Sequence, residues 1–171
     1  LIGLLDLYLL EIPAYALFVP MFLAIYVAIR RANESYMALA LTIAITGIAV
    51  FLATNNPFAM FSPSNQYATA TTDAQKDLFL AAGQAILANT NQRAVEGFNM
   101  GFLLLSVAGV IVSAVMLRSK TFSKVIAYVG VLAFAVSLAD YFRIAFVPSI
   151  LLLLLIIATA SGLLWLIWLV L

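Results

Sequence analysis

The chain has 171 residues, of which 66% are hydrophobic and 9% charged, with eight Lys and Arg against seven Asp and Glu for a net charge of +1. A soluble domain is about 45–50% apolar and about 25% charged, and one of this length could not cover so much apolar surface, so the expected solvent is lipid. The near-zero charge excludes a nucleic-acid partner, and the absence of both Cys and His removes disulfides, iron–sulfur ligation and the commonest ligand for haem, copper and catalytic zinc, so no cofactor and no metal are expected.

Five apolar blocks follow one another, each near the roughly 20 residues that a helix needs to cross a bilayer. The first runs from about 7 to 29, contains Pro13 and Pro20, and ends at Arg30 and Arg31. The second covers about 36–53 and is stopped by Asn55, Asn56 and Pro57. The long connection 54–96 comes next. Its first part, Asn55 to Thr72, is rich in Asn, Pro, Ser and Thr and reads as irregular. From Asp73 to Ala88 the pattern turns helical. Thr72 and Gln75 fit a T-x-x-Q capping box, Asp73 and Asp77 complement the positive helix end, and Ala74, Leu78, Ala82, Ala85 and Ile86 recur on one face. Asn89 is the expected stop. So short a helix is expected on the membrane surface or as a lid with Leu78, Ala82 and Ile86 turned to the bundle or lipid; the alternative is a gating or partner-binding role. The remaining spans are about 98–117, 125–142 and, after Pro148, 149–171. Nothing alternates as the strands of an outer-membrane barrel do. The expected fold is an all-α membrane protein, one domain over 1–171, with five transmembrane helices and an exterior loop carrying a short amphipathic helix.

Orientation is read from Lys and Arg beside the span ends. Arg30, Arg31, Arg118, Lys120 and Lys124 fall in two tight connections on one side, and Lys76, Arg93 and Arg143 on the other. The first side is assigned to the cytoplasm, which puts the 54–96 loop and residue 1 outside and residue 171 inside. Trp165 and Trp168 are then expected near the cytoplasmic interface, where indoles are favoured. An odd number of spans with an exterior start leads to the expectation of a sixth, N-terminal helix missing from the chain. The sequon Asn33-Glu34-Ser35 lies on the cytoplasmic side and is discounted.

The stretch from Ser64 to Lys76 (SNQYATATTDAQK) and that from Leu80 to Ala88 (LAAGQAILA) resemble a family of bacterial and archaeal multi-pass membrane proteins, domain of unknown function 4386. The segment from Val115 to Lys124 (VMLRSKTFSK), followed by Ala127-Tyr-Val-Gly130, is similar to it as well. The likeness covers roughly 20–135. It implies fold, topology and a location in a prokaryotic plasma membrane, with about six helices in family members; it implies no activity and no catalytic residue.

Charges near hydrocarbon are costly and mark the places where chemistry or locking occurs. Asp6, Glu11, Arg93, Glu96, Asp140 and Arg143 all fall at or near the outer helix ends and form the expected polar rim or ligand vestibule. Glu11, inside an apolar block and two residues before Pro13, either pairs with Arg143 or Arg93, contacts a ligand beside Arg143, or carries a proton. Asp140 and Arg143 are three apart and can pair on their own helix. Gly97, Gly101, Gly109 and Ser113 make a small-residue stripe for close helix packing, within the chain or against another copy. Ser119 and Ser123 beside Lys120 and Lys124 could suggest a Ser–Lys pair but read better as a basic anchor. The expected partners are the bilayer and other membrane helices, of a further subunit or a second copy. The favoured expectation is a non-catalytic structural or accessory protein; the alternative is binding or transport of a small solute or lipid through the exterior vestibule. An intramembrane enzyme resting on Glu11 and Asp140 stands last.

Overall fold

In a computed structural model the backbone is described for residues 2–54, 61–94, 100–146 and 151–170, and side chains for 9–54, 61–86, 100–141, 156 and 159–170. These residues form seven helices and no strand: α1 (Ile2–Ile29), α2 (Glu34–Thr54), α3 (Phe61–Thr69), α4 (Asp73–Ala94), α5 (Met100–Arg118), α6 (Lys124–Phe146) and α7 (Leu151–Val170). Four contain stretches long and apolar enough to cross a membrane: Leu9–Ile29, Glu34–Thr54, Met100–Arg118 and Lys124–Tyr141. In α7 the shorter apolar stretch Thr159–Val170 is described. At about 1.5 Å per residue, the 21 residues of α2 match a hydrocarbon core of about 30 Å.

Helix starts follow local chemistry. The Asn33 Oδ1 accepts from the Tyr36 amide at 3.2 Å, so the discounted sequon asparagine is the cap of α2. Ser123 does the same for α6, accepting from the Ile126 amide at 3.3 Å, and the Ser119 hydroxyl accepts from the Thr121 amide at 3.1 Å. Both serines of the suspected Ser–Lys arrangement therefore serve the turn between α5 and α6.

The long helices pack in the order α1, α2, α5, α6, α7. Helix α1 touches its neighbours along a narrow seam: Tyr15, Phe22 and Ile29, seven residues apart, are its buried side chains, while Pro13, Leu17, Pro20 and Val27 face outward. The helix continues through both prolines, whose rings displace no neighbour on that face. Helix α5 is central. A methyl group on Gly47 of α2 would meet the Gly101 carbonyl oxygen at 2.9 Å, so these two backbones approach as closely as glycine permits. On its other side, Gly109 lies against the Phe134 ring of α6, and Ser113 against Gly130. An aromatic contact closes the arc: Phe18 of α1 meets Trp165 of α7 edge-on at 5.0 Å.

These contacts make α2, α5 and α6 successively antiparallel, so Arg30, Arg31, Arg118, Lys120 and Lys124 gather at one end of the bundle, here the basic end. The opposite, loop end receives the connection carrying α3 and α4. Outward faces of the long helices are lined by large apolar side chains, among them Leu10, Leu17, Val125, Leu132, Leu163 and Val170. A water-facing bundle would carry polar groups there; a lipid-facing one carries these.

The 54–96 connection departs from expectation in three ways. Residues 61–69, read as irregular, form α3: Pro63 falls in the first turn, where its missing N–H is not needed, and the Thr69 hydroxyl bonds the Asn65 carbonyl at 3.1 Å. Helix α4 does start at Asp73, with the Thr72 hydroxyl accepting from the Gln75 amide at 3.3 Å, but Gln75 reaches back to the Thr71 amide, at 3.2 Å, rather than to that of Thr72. It also runs past Asn89 to Ala94, because one asparagine costs only a few tenths of a kcal/mol in a helix interior. Third, α4 packs on α3 and makes no extensive contact with the long helices among the described residues. Leu78 is 64% exposed and Ala82 is exposed, so of the two surroundings expected for that face, bundle or lipid, the bundle does not cover them.

Candidate functional site

A cavity of about 310 Å³ lies between α5, α6 and α7 in the half of the bundle toward the loop end. Its depth follows from the helix register. Since Gly109 sits against Phe134 and Ser113 against Gly130, three residues further along both helices Ser106 and Ser137 stand at one level. Ser137 is hydrogen-bonded to Ser161 of α7, which brings three hydroxyls from three helices to that level. The Ser137 hydroxyl also donates to the Ala133 carbonyl at 3.1 Å. A hydroxyl has one proton, so Ser161 is the donor to Ser137.

About one turn above the serines, toward the loop end, are Asp140 and Tyr141 of α6, with Phe102 on α5; below them are Phe134 and Trp165. Phe102 and Trp165 belong to a continuous aromatic cluster. Tyr15 stacks on Phe51 with ring centroids 3.6 Å apart, meets Phe102 edge-on at 5.4 Å and Phe18 at 5.4 Å, and Phe18 meets Trp165. Such contacts hold ring orientations beyond what burial alone supplies, so this wall is preformed. Gly162 also borders the cavity, and a methyl group there would meet nothing within 4 Å.

Of the expected rim, Asp140 is half-buried at the cavity. Glu11 is half-buried on α1, one turn from Tyr15 and within its electrostatic reach, as Tyr141 is. Asp6, Arg93 and Arg143 lie on α1, α4 and α6, but their side chains fall outside the described residues, as Glu96 and Gly97 do entirely; the expected Glu11–Arg143 pair lies outside them too. Gly101, Gly109 and Ser113 are buried on α5, where their neighbours are Gly47, Phe134 and Gly130 of this same chain.

Trp165 and Trp168, expected near the cytoplasmic interface, lie in the half of α7 toward the basic end. Both turn inward: Trp165 lines the cavity, and Trp168, 5% exposed, meets Phe134 edge-on at 5.2 Å. Trp168 packs against Gly130, the glycine of α6. Ser106, Ser137, Tyr15 and Tyr141 were not singled out from sequence. Their signal was faint, since an isolated hydroxyl in an apolar helix commonly bonds its own backbone, as Thr42 does to the Ala38 carbonyl at 2.9 Å.

Apolar spans with apolar outward faces define a multi-pass helical membrane protein. The family model described as domain of unknown function (DUF4386) matches residues 5–171, a wider stretch than the motifs alone cover. The chain belongs to this family. No curated protein and no solved structure matches it.

Proposed function

We propose that this protein is a non-catalytic membrane protein that binds a small amphipathic molecule in the cavity between α5, α6 and α7. The observation that carries the reading is the cavity itself. Its volume falls in the range of small-molecule sites, about 300–1,000 Å³, and its lining combines apolar and aromatic walls with a few convergent polar groups, the usual composition of such sites. The serine level supplies hydrogen bonds for a polar group, and the rings of Phe102, Phe134 and Trp165 accommodate an apolar one.

In this reading α7 is the fifth span, and the basic end faces the cytoplasm, in keeping with the excess of Lys and Arg in the short connections. The cavity then opens toward the exterior half of the membrane. The accessory role favoured by sequence drew on the lack of a catalytic motif and on the small-residue stripe of α5. Gly101, Gly109 and Ser113 are covered within the chain, so that stripe does not call for a partner.

The test compares the full chain with Gly162→Leu, which places a side chain at the cavity edge, where its Cβ meets nothing within 4 Å. Native mass spectrometry from lipid nanodiscs, after incubation with a small-molecule extract of the host membrane, is expected to show a retained adduct on the unaltered protein and none on Gly162→Leu. An adduct of equal occupancy on both, or none on either, contradicts the reading.

A further inference from the structure

The hydrogen-bonding groups left free in the cavity lining narrow the chemistry of its occupant, and we infer that it takes a neutral, ring-bearing carbonyl compound whose oxygen accepts from Ser106 and Trp165. This inference rests on the binding function proposed above. Ser106 lines the cavity, is 6% exposed, and forms no side-chain hydrogen bond among the described residues. The indole N–H of Trp165, on the same lining, is also without a hydrogen bond among them. The other polar lining groups are engaged: Ser137 with Ala133 and Ser161, and Asp140 and Tyr141 with other groups of the protein. A serine in an apolar helix commonly bonds the carbonyl one turn back, as Ser137 does, and Ser106 does not. A buried polar group without a partner is costly, and an acceptor held in the cavity removes that cost.

The balance of protons points to a carbonyl. A serine hydroxyl can donate or accept, whereas an indole N–H only donates. A carbonyl oxygen takes a hydrogen bond from each and brings no proton of its own; a hydroxyl or an amine brings one that needs an acceptor in turn. Charge is disfavoured on similar grounds, since the free lining groups are neutral and an ion placed in apolar surroundings without a counter-charge is costly. Around these donors stand the rings of Phe102, Phe134 and Trp165, which suit a flat unsaturated ring in offset or edge-on contact. An aryl ketone, a quinone or an aromatic ester has both parts.

The experiment titrates the full chain in nanodiscs with acetophenone, its carbon isostere isopropenylbenzene, α-methylbenzyl alcohol and α-methylbenzylammonium at matched membrane concentrations. Calorimetry is expected to show saturable binding of acetophenone, at least about fivefold tighter than of the isostere, a difference of about 1 kcal/mol. The alcohol and the ammonium compound are expected to bind more weakly than the ketone. Ser106→Ala is expected to remove most of the ketone's preference and leave isostere binding unchanged, which shows the cavity intact. Isotope-edited infrared spectra give a second readout: the bound carbonyl stretch should be lowered by hydrogen bonding and rise again in Ser106→Ala. Equal binding of ketone and isostere, an undiminished preference in Ser106→Ala, or tighter binding of the alcohol or the ammonium compound overturns the carbonyl inference and leaves the binding function standing. Failure of every compound to bind the folded protein also overturns it; the binding function itself falls only if the mass-spectrometric adduct is absent as well.

Discussion

Glycine does two opposite things in this bundle, and the difference is set by what lies within a methyl group's reach. At Gly47 the obstacle is the Gly101 carbonyl, part of a helix backbone that cannot step aside. At Gly130 it is the Ser113 hydroxyl and the Trp168 indole. Those two polar groups are buried and have no hydrogen-bond partner among the described residues, although one is a donor and the other can accept. Each such group costs on the order of 1–3 kcal/mol, so close packing around Gly130 is stabilising enough to tolerate them. At Gly162 nothing is in reach. The expected order of stability follows. Gly47→Ala and Gly130→Ala should each destabilise by about 1–3 kcal/mol through overpacking, whereas Gly162→Ala should gain up to about 1 kcal/mol from helix propensity. Ser113→Ala combined with Gly130→Ala should recover part of the loss, because it removes the hydroxyl the new methyl meets. Reversible unfolding in mixed detergent measures all four. A Gly162→Ala variant as unstable as Gly47→Ala would mean the glycine contacts do not decide packing.

At the scale of elements, the sequence was most legible where one strong signal repeats. About 20 apolar residues closed by Arg30-Arg31, by Arg118 or by Lys124 identify a spanning helix whatever its neighbours are, and the boundaries of α2, α5 and α6 fall within a few residues of those expected. Helix α3 was not legible, since Asn, Ser and Thr favour turns and its proline is harmless only in the first turn. The cavity was less legible still. Ser137 and Ser161 lie 24 residues apart on different helices, and only the α5–α6 register set by Gly109 and Gly130 puts Ser106 beside them. Asp140 was singled out because it is charged, but the neutral hydroxyls below it carry no such mark. The start of α4 was legible for a local reason, its cap, and that cap can be tested locally. Thr72→Ala should cost about 1 kcal/mol in the first turn of α4, seen as roughly fivefold faster hydrogen exchange at the Gln75 amide. The apparent melting temperature of the bundle should not move, because among the described residues α4 packs on α3 and makes no extensive contact with the spans. A lowered bundle stability would show that α4 is coupled to the long helices after all.

For the whole molecule, the arrangement joins two features that sequence order keeps apart: a basic end formed by two tight turns, and a cavity in the half of the bundle toward the opposite end. The Arg30 guanidinium lies 6.0 Å from the Tyr26 ring, and Arg31, Arg118, Lys120 and Lys124 are exposed around it, a distribution suited to the anionic inner face of a membrane. At the other end the aromatic cluster of Tyr15, Phe18, Phe51, Phe102 and Trp165 ties α1, α2, α5 and α7 together beside the site. In the orientation proposed above, with the basic end in the cytoplasm, the cavity lies in the exterior half. The chain contains no cysteine, so a single introduced thiol reports its own surroundings. The most direct measurement is the labelling of Ser161→Cys in intact cells by a small membrane-impermeant thiol reagent, with Thr121→Cys in the basic-end turn as the inner control. The account predicts that Cys at 161 is modified from outside, that adding Gly162→Leu slows the reaction, and that Cys at 121 reacts only once the membrane is opened. Modification at 121 in intact cells would reverse the orientation, and an inert thiol at 161 in a folded protein would contradict an exterior-facing binding cavity.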